Sequence, residues 1–598
     1  MKGIRLLSWI IMTFTTLSLN AQELDIRHLS NTHSIIKIST DKQFLLLPVQ
    51  ESVPNANVRV LADTRFEQSF NIRLAEDKID YYVPFDLSAY KRQAVLLDII
   101  QDSGRDSKRD LADNICWNSM KCSDTFDTDN REKFRPAYHF SPLYGWMNDP
   151  NGLVYKDGEY HLFYQYNPYG SIWGNMTWGH AVTRDFVHWT HLKPAIFRNE
   201  LGDVFSGSAI VDKDNISGFG AGAIIAMYTS AGTNQTQSIA YSTNNGRTFK
   251  IYEKNPVITS DIVDFRDPKM FFDQQTNEWK VIIASGQEVR FYTSKNLKDW
   301  TYESSFGKGY GNHEGVWECP DLLRIKVAGS NEEKDVLILN INPGGPFGGS
   351  ATQYFVGHFD GHQFTCESKP ETTQWMDYGK DHYATVTWSN TPENRKIALA
   401  WMSNWQYANA IPTQQFRSAN SVPRELSLIR DNGTYYLCSY PVKEMEMIRG
   451  KALVNKSITT NNRVKEQTIR NLGDTYEIIL SSETPIKGLL TITLSNDAKE
   501  KVKMVYDVDH QSFTMDRKES GETDFSKDFP VSTTAPLHPA KHFELRLLID
   551  RCSIEAFTDR GAVSMSNLVF PSTPYQTIGI SGNEKNQIYL TVYPLNIK

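Results

Sequence analysis

The sequence predicts an all-β protein: a five-bladed β-propeller followed by a C-terminal β-sandwich, with an additional small β domain at the N-terminus. Three observations predict it. Short runs of β-branched and aromatic residues, bounded by Gly, Asn and Asp turns, recur along nearly the whole chain. A degenerate unit of strand, polar turn and aromatic plug recurs between residues 179 and 364. No strong amphipathic helix interrupts that stretch.

With 598 residues the chain exceeds what one hydrophobic core organises, and two to four domains of ~100–200 residues are expected. Hydrophobic residues at 40% and charged residues at 22% fit a soluble globular protein. The net charge of -7 argues against a nucleic-acid partner, which selects a basic surface, and leaves a neutral sugar open. The 13 Trp and 28 Tyr could stack on sugar faces, although such rings serve more often as sheet core.

Residues 1–21 read as a signal peptide. Lys2 and Arg5 supply a positive start, Leu6 to Leu19 an apolar stretch too short for a comfortable membrane span, and Asn20-Ala21 a small-residue cleavage site. No other stretch is apolar enough to cross a bilayer, so the expectation is export to the periplasm or beyond. Six Cys in a chain of this length do not make a disulfide scaffold. Cys116 and Cys122 could pair, and two free thiols are an equal reading. No C-x-x-C or H-E-x-x-H pattern calls for a metal.

Residues 22–133 are expected to form a small β-sandwich-like domain and a linker. Strand-like runs include Ile35 to Ile38, Phe44 to Leu47, Asn57 to Leu61 and Val95 to Ile100. From Asp102 to Lys133 the composition is that of a linker, although Trp117 and Met120 suggest that part of it packs.

Residues 134–432 carry the repeat. Asp157-Gly158 between two apolar runs is a strong hairpin signal. The units around Gly179–Trp189, Ala240–Phe249 and Phe291–Trp300 resemble one another, with a looser copy at Val356–Phe364. Their aromatic plugs, Trp189, Phe249, Trp300 and Phe364, recur every ~50–65 residues, close to the spacing of propeller blades. Residues 433–598 remain β-rich without that repeat. Runs such as Tyr476–Leu480, Leu489–Leu494 and Phe543–Ile549 indicate a β-sandwich.

Three acidic clusters carry chemistry. Asp149 lies in Trp146-Met147-Asn148-Asp149-Pro150-Asn151-Gly152, where Pro150 biases it toward extended backbone and Asn151-Gly152 then turns the chain. Alone this reads equally as an Asx-rich turn. Asp267 again precedes a Pro and follows Arg266, a neighbour that can keep a carboxylate ionised or simply pair with it. Glu318 sits between Trp317 and Cys319, where desolvation would favour its protonated form. Together the three begin successive propeller units, and equivalent blade positions converge on the axis. Crowded carboxylates split their roles into proton donor and nucleophile, which is what glycoside hydrolysis requires.

These residues resemble those of the β-fructosidases, the invertase, inulinase and levanase group of glycoside hydrolase family 32. The resemblance runs from about Tyr138 to the C-terminus. It rests on Trp146–Gly152, Phe205–Ser208, Arg266–Pro268, Glu318–Asp321, Asp377–Asp381, Trp401–Trp405, Pro423–Leu426 and Asp550–Phe557. It implies a retaining mechanism, with Asp149 as nucleophile, Glu318 as acid/base and Asp267 as transition-state stabiliser. It also implies that Asn148, Gln165, Trp173, Phe205, Ser206, Arg266 and Trp405 line a terminal fructose pocket, with Asp377 as a weaker member, and that Cys319 tunes Glu318. His382 departs from the Asn or Phe common in the family, which bears on a subsite and not on the chemistry. Residues 22–133 lie outside the family core. The expectation for them is a domain that packs on the propeller and shapes the pocket entrance, with a carbohydrate-binding module as the alternative.

The function expected is release of terminal fructosyl units from levan, inulin, fructo-oligosaccharides or sucrose, with no cofactor and no metal. Trp401–Trp405 followed by Gln406-Tyr407-Ala408-Asn409 resembles the exo-acting microbial fructanases. The alternatives are a fructosyltransferase on the same scaffold and a sugar-binding propeller without catalysis, which the presence of all three carboxylates disfavours. The Gly-rich run Pro343–Ser350 lacks the Gly-Lys-Ser/Thr ending of a phosphate cradle and reads as a rim loop.

Overall fold

The structure is a computed structural model. It describes residues 23–597 apart from 92, 102–110, 130, 462–466 and 539–541. The expected signal peptide and part of the expected linker lie outside these residues. The chain forms two compact units. One comprises the residues up to Ile79 with Pro84–Phe126, and the other Asp80–Val83 with Asp127 onward.

In the N-terminal unit a five-stranded antiparallel sheet runs in the order Leu24–Ser30, His33–Ile38, Val95–Gln101, Ala56–Ala62, Arg65–Ile72. The strand Ala56–Ala62 alternates strictly. Ala56, Val58, Val60 and Ala62 are buried while Arg59 between them is exposed, the period of a sheet with one covered face. Phe44–Val49 pairs with Lys121–Ser123 in a second, three-stranded sheet. Cys116 and Cys122 remain free thiols, with Cys116 buried.

The larger unit holds the five blades and the sandwich. Each blade is an antiparallel sheet whose first strand lies innermost. The innermost strands are Gly145–Lys156, Asp203–Asp212, Phe265–Asp273, Val316–Lys326 and Tyr383–Thr387. The ring closes where Phe416–Arg417, from the far end of the propeller sequence, pairs in parallel with Gly145 and Trp146 of the first blade.

The repeat legible in the sequence is the hairpin between the third and fourth strands of a blade. Trp189 and Phe364 open fourth strands, and Phe249 and Trp300 immediately precede them. In three of the four copies the polar turn is an Asx turn. Asp185 Oδ1 accepts from the backbone N–H of His188 at 2.8 Å, Asn296 Oδ1 from Asp299 at 2.8 Å, and Asp360 Oδ1 from Gln363 at 2.9 Å. The fifth blade replaces this turn with Asn432-Gly433, both at positive φ, a two-residue hairpin that needs no plug. That is why the sequence shows four copies for five blades.

The sandwich comprises two six-stranded sheets. Ile478, Leu480, Leu490, Ile492, Leu545 and Leu547 face each other between them and are fully buried. Charge joins sandwich to propeller. His139 contacts Asp550 through Nδ1 at 2.8 Å and Glu555 through Nε2 at 2.8 Å. Arg424 donates to Asp377 at 2.8 Å and also to Glu555. These side chains are at most 1% exposed, so each charge depends on its partners.

Candidate active site

Every innermost strand changes register at the same height. The shifts fall between Val204 and Gly207, Arg266 and Lys269, Glu318 and Asp321, and Tyr383 and Val386. In the first blade Asn148 and Asp149 lie where two residues oppose Gln165 alone. A bulge of this kind breaks the strict alternation of side chains and re-aims the residue it contains. In the third, fourth and fifth blades the bulge holds a non-glycine residue at positive φ: Asp267 at 63°, Cys319 at 44° and Ala384 at 54°. Such backbone is costly and concentrates at functional sites.

The three acidic residues lie in the first, third and fourth blades and not in three successive ones, because the blade that opens with Asp203–Asp212 intervenes. Asp149 accepts from Asn148 Nδ2 at 3.0 Å and from Ser206 Oγ at 2.7 Å. The Cys319 thiol lies 3.6 Å from Asp149 Oδ2 and 3.5 Å from Asp267 Oδ2, and the Cys319 backbone N–H donates to Asp267 at 2.9 Å. Glu318 is gripped from both sides. Arg266 Nε donates to its Oε1 at 2.9 Å, and the Tyr383 hydroxyl donates to its Oε2. Arg266 is itself held by Asp264 at 2.6 Å and by Gln235 at 3.1 Å.

The electrostatics follow from crowding. Burial raises the Asp149 pKa, the charge of Glu318 adds to it, and the bonds from Asn148, Ser206 and Cys319 oppose it. Burial raises Asp267 to about 7, opposed by Arg266 and assisted by Glu318 and Asp149. Burial and the three neighbouring carboxylates push the Cys319 thiol well up. It therefore stays protonated and serves as a donor, not a nucleophile.

Aromatic rings wall the site. Trp405 stacks on Trp146 at 5.9 Å and meets Trp401 at 4.8 Å, while Trp146 Nε1 donates to Asn148 Oδ1 at 2.7 Å. Trp173 meets Phe205 edge-on at 6.1 Å and is 42% exposed. An exposed Trp beside a polar recess is suited to a sugar face. Gln165, from the second strand of the first blade, donates to Val204 O at 3.0 Å. Among the described residues no group of His, Cys, Asp and Glu is arranged to hold a metal ion.

The structure thus gathers Asn148, Asp149, Ser206, Arg266, Asp267 and Glu318 in one network. Gln165, Phe205, Trp173 and Trp405 are placed around it. It does not bring Asp377 there. That carboxylate is 2% exposed and bonded to Arg424, Ser566 Oγ at 2.9 Å and the Gly379 N–H at 2.8 Å. It anchors the sandwich, and no face is left for a sugar. His382 is likewise internal. Burial lowers its pKa to about 4, leaving a neutral ring near Thr385 Oγ1 at 3.3 Å. Tyr383 and Gln235 escaped sequence reasoning. Tyr383 could have been found, because it holds the position in the fifth blade that Arg266 and Glu318 hold in the third and fourth.

Comparison with known proteins identifies the family. Residues 139–441 match the glycosyl hydrolases family 32 N-terminal domain and residues 444–594 the family 32 C terminal domain. Residues 30–138 match a domain of unknown function (DUF4980). The chain is 44% identical over 482 residues to a levanase of Bacillus subtilis, covering 78% of this chain and 71% of that one. It is 36% identical over 511 residues to an extracellular exo-inulinase of Aspergillus awamori, covering 78% of this chain and 95% of that one. The crystal structure of exo-inulinase from Aspergillus awamori superposes with a TM-score of 0.73 at 34% identity, covering 79% of this chain and 99% of that one. The structure of fructofuranosidase from Schwanniomyces occidentalis complexed with fructose does so with a TM-score of 0.70 at 33% identity, covering 79% of this chain and all 100% of that one. A bladed ring with three linked carboxylates, joined to a sandwich and matched across both domains, makes this chain a glycoside hydrolase that belongs to family 32.

Proposed function

We propose that the protein is a retaining β-fructofuranosidase that removes terminal fructose from levan, inulin, fructo-oligosaccharides or sucrose. One observation carries this reading: the Asp149 carboxylate is held by Asn148 and Ser206, and the thiol of Cys319, the residue after Glu318, links it to Asp267. Relatives acting on such substrates, among them a levanase and an extracellular exo-inulinase, support the substrate class.

Asp149 attacks the anomeric C2 of the terminal fructose. The bond from C2 to the glycosidic oxygen breaks, and that oxygen takes a proton from Glu318. An ester between Asp149 and C2 remains. Glu318, now ionised, takes a proton from water while the water oxygen bonds to C2. The ester breaks, fructose leaves and both carboxyls return to their starting states. Asp267 binds fructose hydroxyls and stabilises charge without covalent work. Arg266 and Tyr383 hold Glu318 in place and discharge it electrostatically while it is ionised. The apolar start of the chain and the extracellular relatives support export.

The test is fructose release from sucrose, inulin and levan by the wild type and by Asp149→Asn. Fructose from the wild type and a loss of ~10⁴-fold or more in the variant are expected. Undiminished turnover in the variant would remove Asp149 from the role of nucleophile.

A further inference from the structure

The Asp377–Asp381 run carries none of the proposed chemistry, yet it lies close to it in sequence and in space. Its Lys380 is 3% exposed and joins three elements. The backbone N–H donates to Asn567 Oδ1 of the sandwich at 3.0 Å. The carbonyl accepts from Asn404 Nδ2 at 2.9 Å. The ammonium donates to the Phe347 carbonyl at 2.8 Å, inside the glycine-rich loop that sequence reading placed at the rim.

That loop belongs to the blade that carries Glu318. Glu318 pairs across the sheet with Asn340 and Val316 with Asn342, and the loop begins at Pro343. It is folded tightly on itself, with Gly345 N–H donating to Gly349 O at 2.8 Å and Gly348 N–H to Gly345 O at 2.9 Å. Asn404 fastens its far end, donating to Gly348 O at 3.3 Å and Ser350 O at 3.4 Å. A Cβ on Gly349, which has φ +71°, would fall 2.0 Å from Asn404 Oδ1, so only glycine permits this approach. Ser350 Oγ in turn accepts from the Trp405 N–H at 3.2 Å. Pro343, Pro346 and Gln406 stay exposed around this knot.

An acid/base must sit at the glycosidic oxygen, so the rim next to Glu318 meets the departing part of the substrate, not the terminal fructose. Resting on the function proposed above, we infer that Lys380 is a positioning residue that determines specificity for the leaving group. Its ammonium fixes the Pro343–Gly349 loop as a wall, against which the glucose of sucrose or the next fructosyl unit is seated. A buried ammonium on a backbone carbonyl is a strong, directional tie. Lost, it leaves the loop several conformations, and ordering them falls on the substrate.

The experiment compares the wild type, Lys380→Met and Phe347→Gly in the full chain. Met keeps the length and apolar stem of Lys. Phe347→Gly loosens the loop itself and leaves the buried strap intact, so it decides the matter if Lys380→Met does not fold. Sucrose and 1-kestose are the substrates, and free fructose, which occupies the terminal pocket alone, is the inhibitor. The expected signature is a KM raised about five- to twentyfold for both substrates, kcat within about threefold and the fructose inhibition constant within about twofold. An inhibition constant that rises in step with KM would place the effect in the terminal pocket and overturn the inference. An unchanged KM in folded variants overturns it too. A wild type that releases no fructose is a different result, since it removes the proposed function and this inference with it.

Discussion

The Tyr383 hydroxyl donates to Glu318 Oε2, although 65 residues separate the two along the chain. Tyr383 opens the innermost strand of its blade, Glu318 is the third residue of the innermost strand of the neighbouring one, and both sit immediately before a residue at positive φ, Ala384 and Cys319 respectively. The contact is therefore a consequence of blade symmetry. Two equivalent bulges aim two side chains at the same point.

Removing that hydroxyl tests its role. In Tyr383→Phe, kcat is expected to fall by ~10–10²-fold with KM changed little, because a positioned proton donor loses one of its two supports. Steady-state kinetics on sucrose checks this. A KM effect with kcat preserved would assign Tyr383 to substrate binding instead.

Asp267 makes the folded chain less stable toward neutral pH. Burial raises its pKa to about 7, against about 3.9 in an unfolded chain. The folded state thus binds the proton more tightly, and stability is lost as pH rises from about 4 to about 7. Asp267→Asn is expected to melt several degrees higher than the wild type at pH 7.5, with the gap closing at pH 4.5. Activity should fall ~10²–10³-fold, the usual opposition between a strained site and stability. Thermal melts of both proteins across that range provide the measurement.

His139 has the opposite sense. Burial alone would lower its pKa, but the bonds to Asp550 and Glu555 raise it to about 9. Its contribution is complete below the unfolded value of about 6.5 and disappears as pH rises through about 9, amounting to ~3 kcal/mol. His139→Gln should cost more stability at pH 6 than at pH 9.5 in denaturant titrations. Equal losses at both would mean that the imidazole is not charged between its two carboxylates.

Asp559 lies in the sandwich, where burial and the nearby charge of Glu544 raise its pKa to about 7. Its carboxylate weighs against folding increasingly from about pH 4 to about pH 7. Asp559→Asn should therefore raise the melting temperature at pH 8, leave it unchanged at pH 4.5 and keep fructose release within about twofold. A melting temperature that does not respond at pH 8 would show that Asp559 is better solvated than its burial suggests.

Much of the fold was legible because it is local. The Asp157-Gly158 hairpin, the Asx turns at Asp185, Asn296 and Asp360 and the aromatic plugs each act within a few residues. The three acidic clusters stood out because each pairs a carboxylate with Pro or Trp. Asp377 shows the limit. The motif around it is real, but its carboxylate turns to Arg424 and Ser566. Nothing in a linear run tells whether an acidic side chain faces a cavity or a buried arginine.

Turn chemistry and the period of the strands therefore determined the class of fold, and the resemblance of the motifs singled out the three carboxylates. Only the closed ring decided which of those residues meet. The period of a β-strand alternates side chains between two faces, and a single-residue bulge reverses that alternation. Register shifts at Arg266, Glu318 and Tyr383 arise where each innermost strand pairs with the next strand of its own blade. The grip on Glu318, the thiol between Asp149 and Asp267, and the three-way tie of Lys380 exist only once those strands are paired.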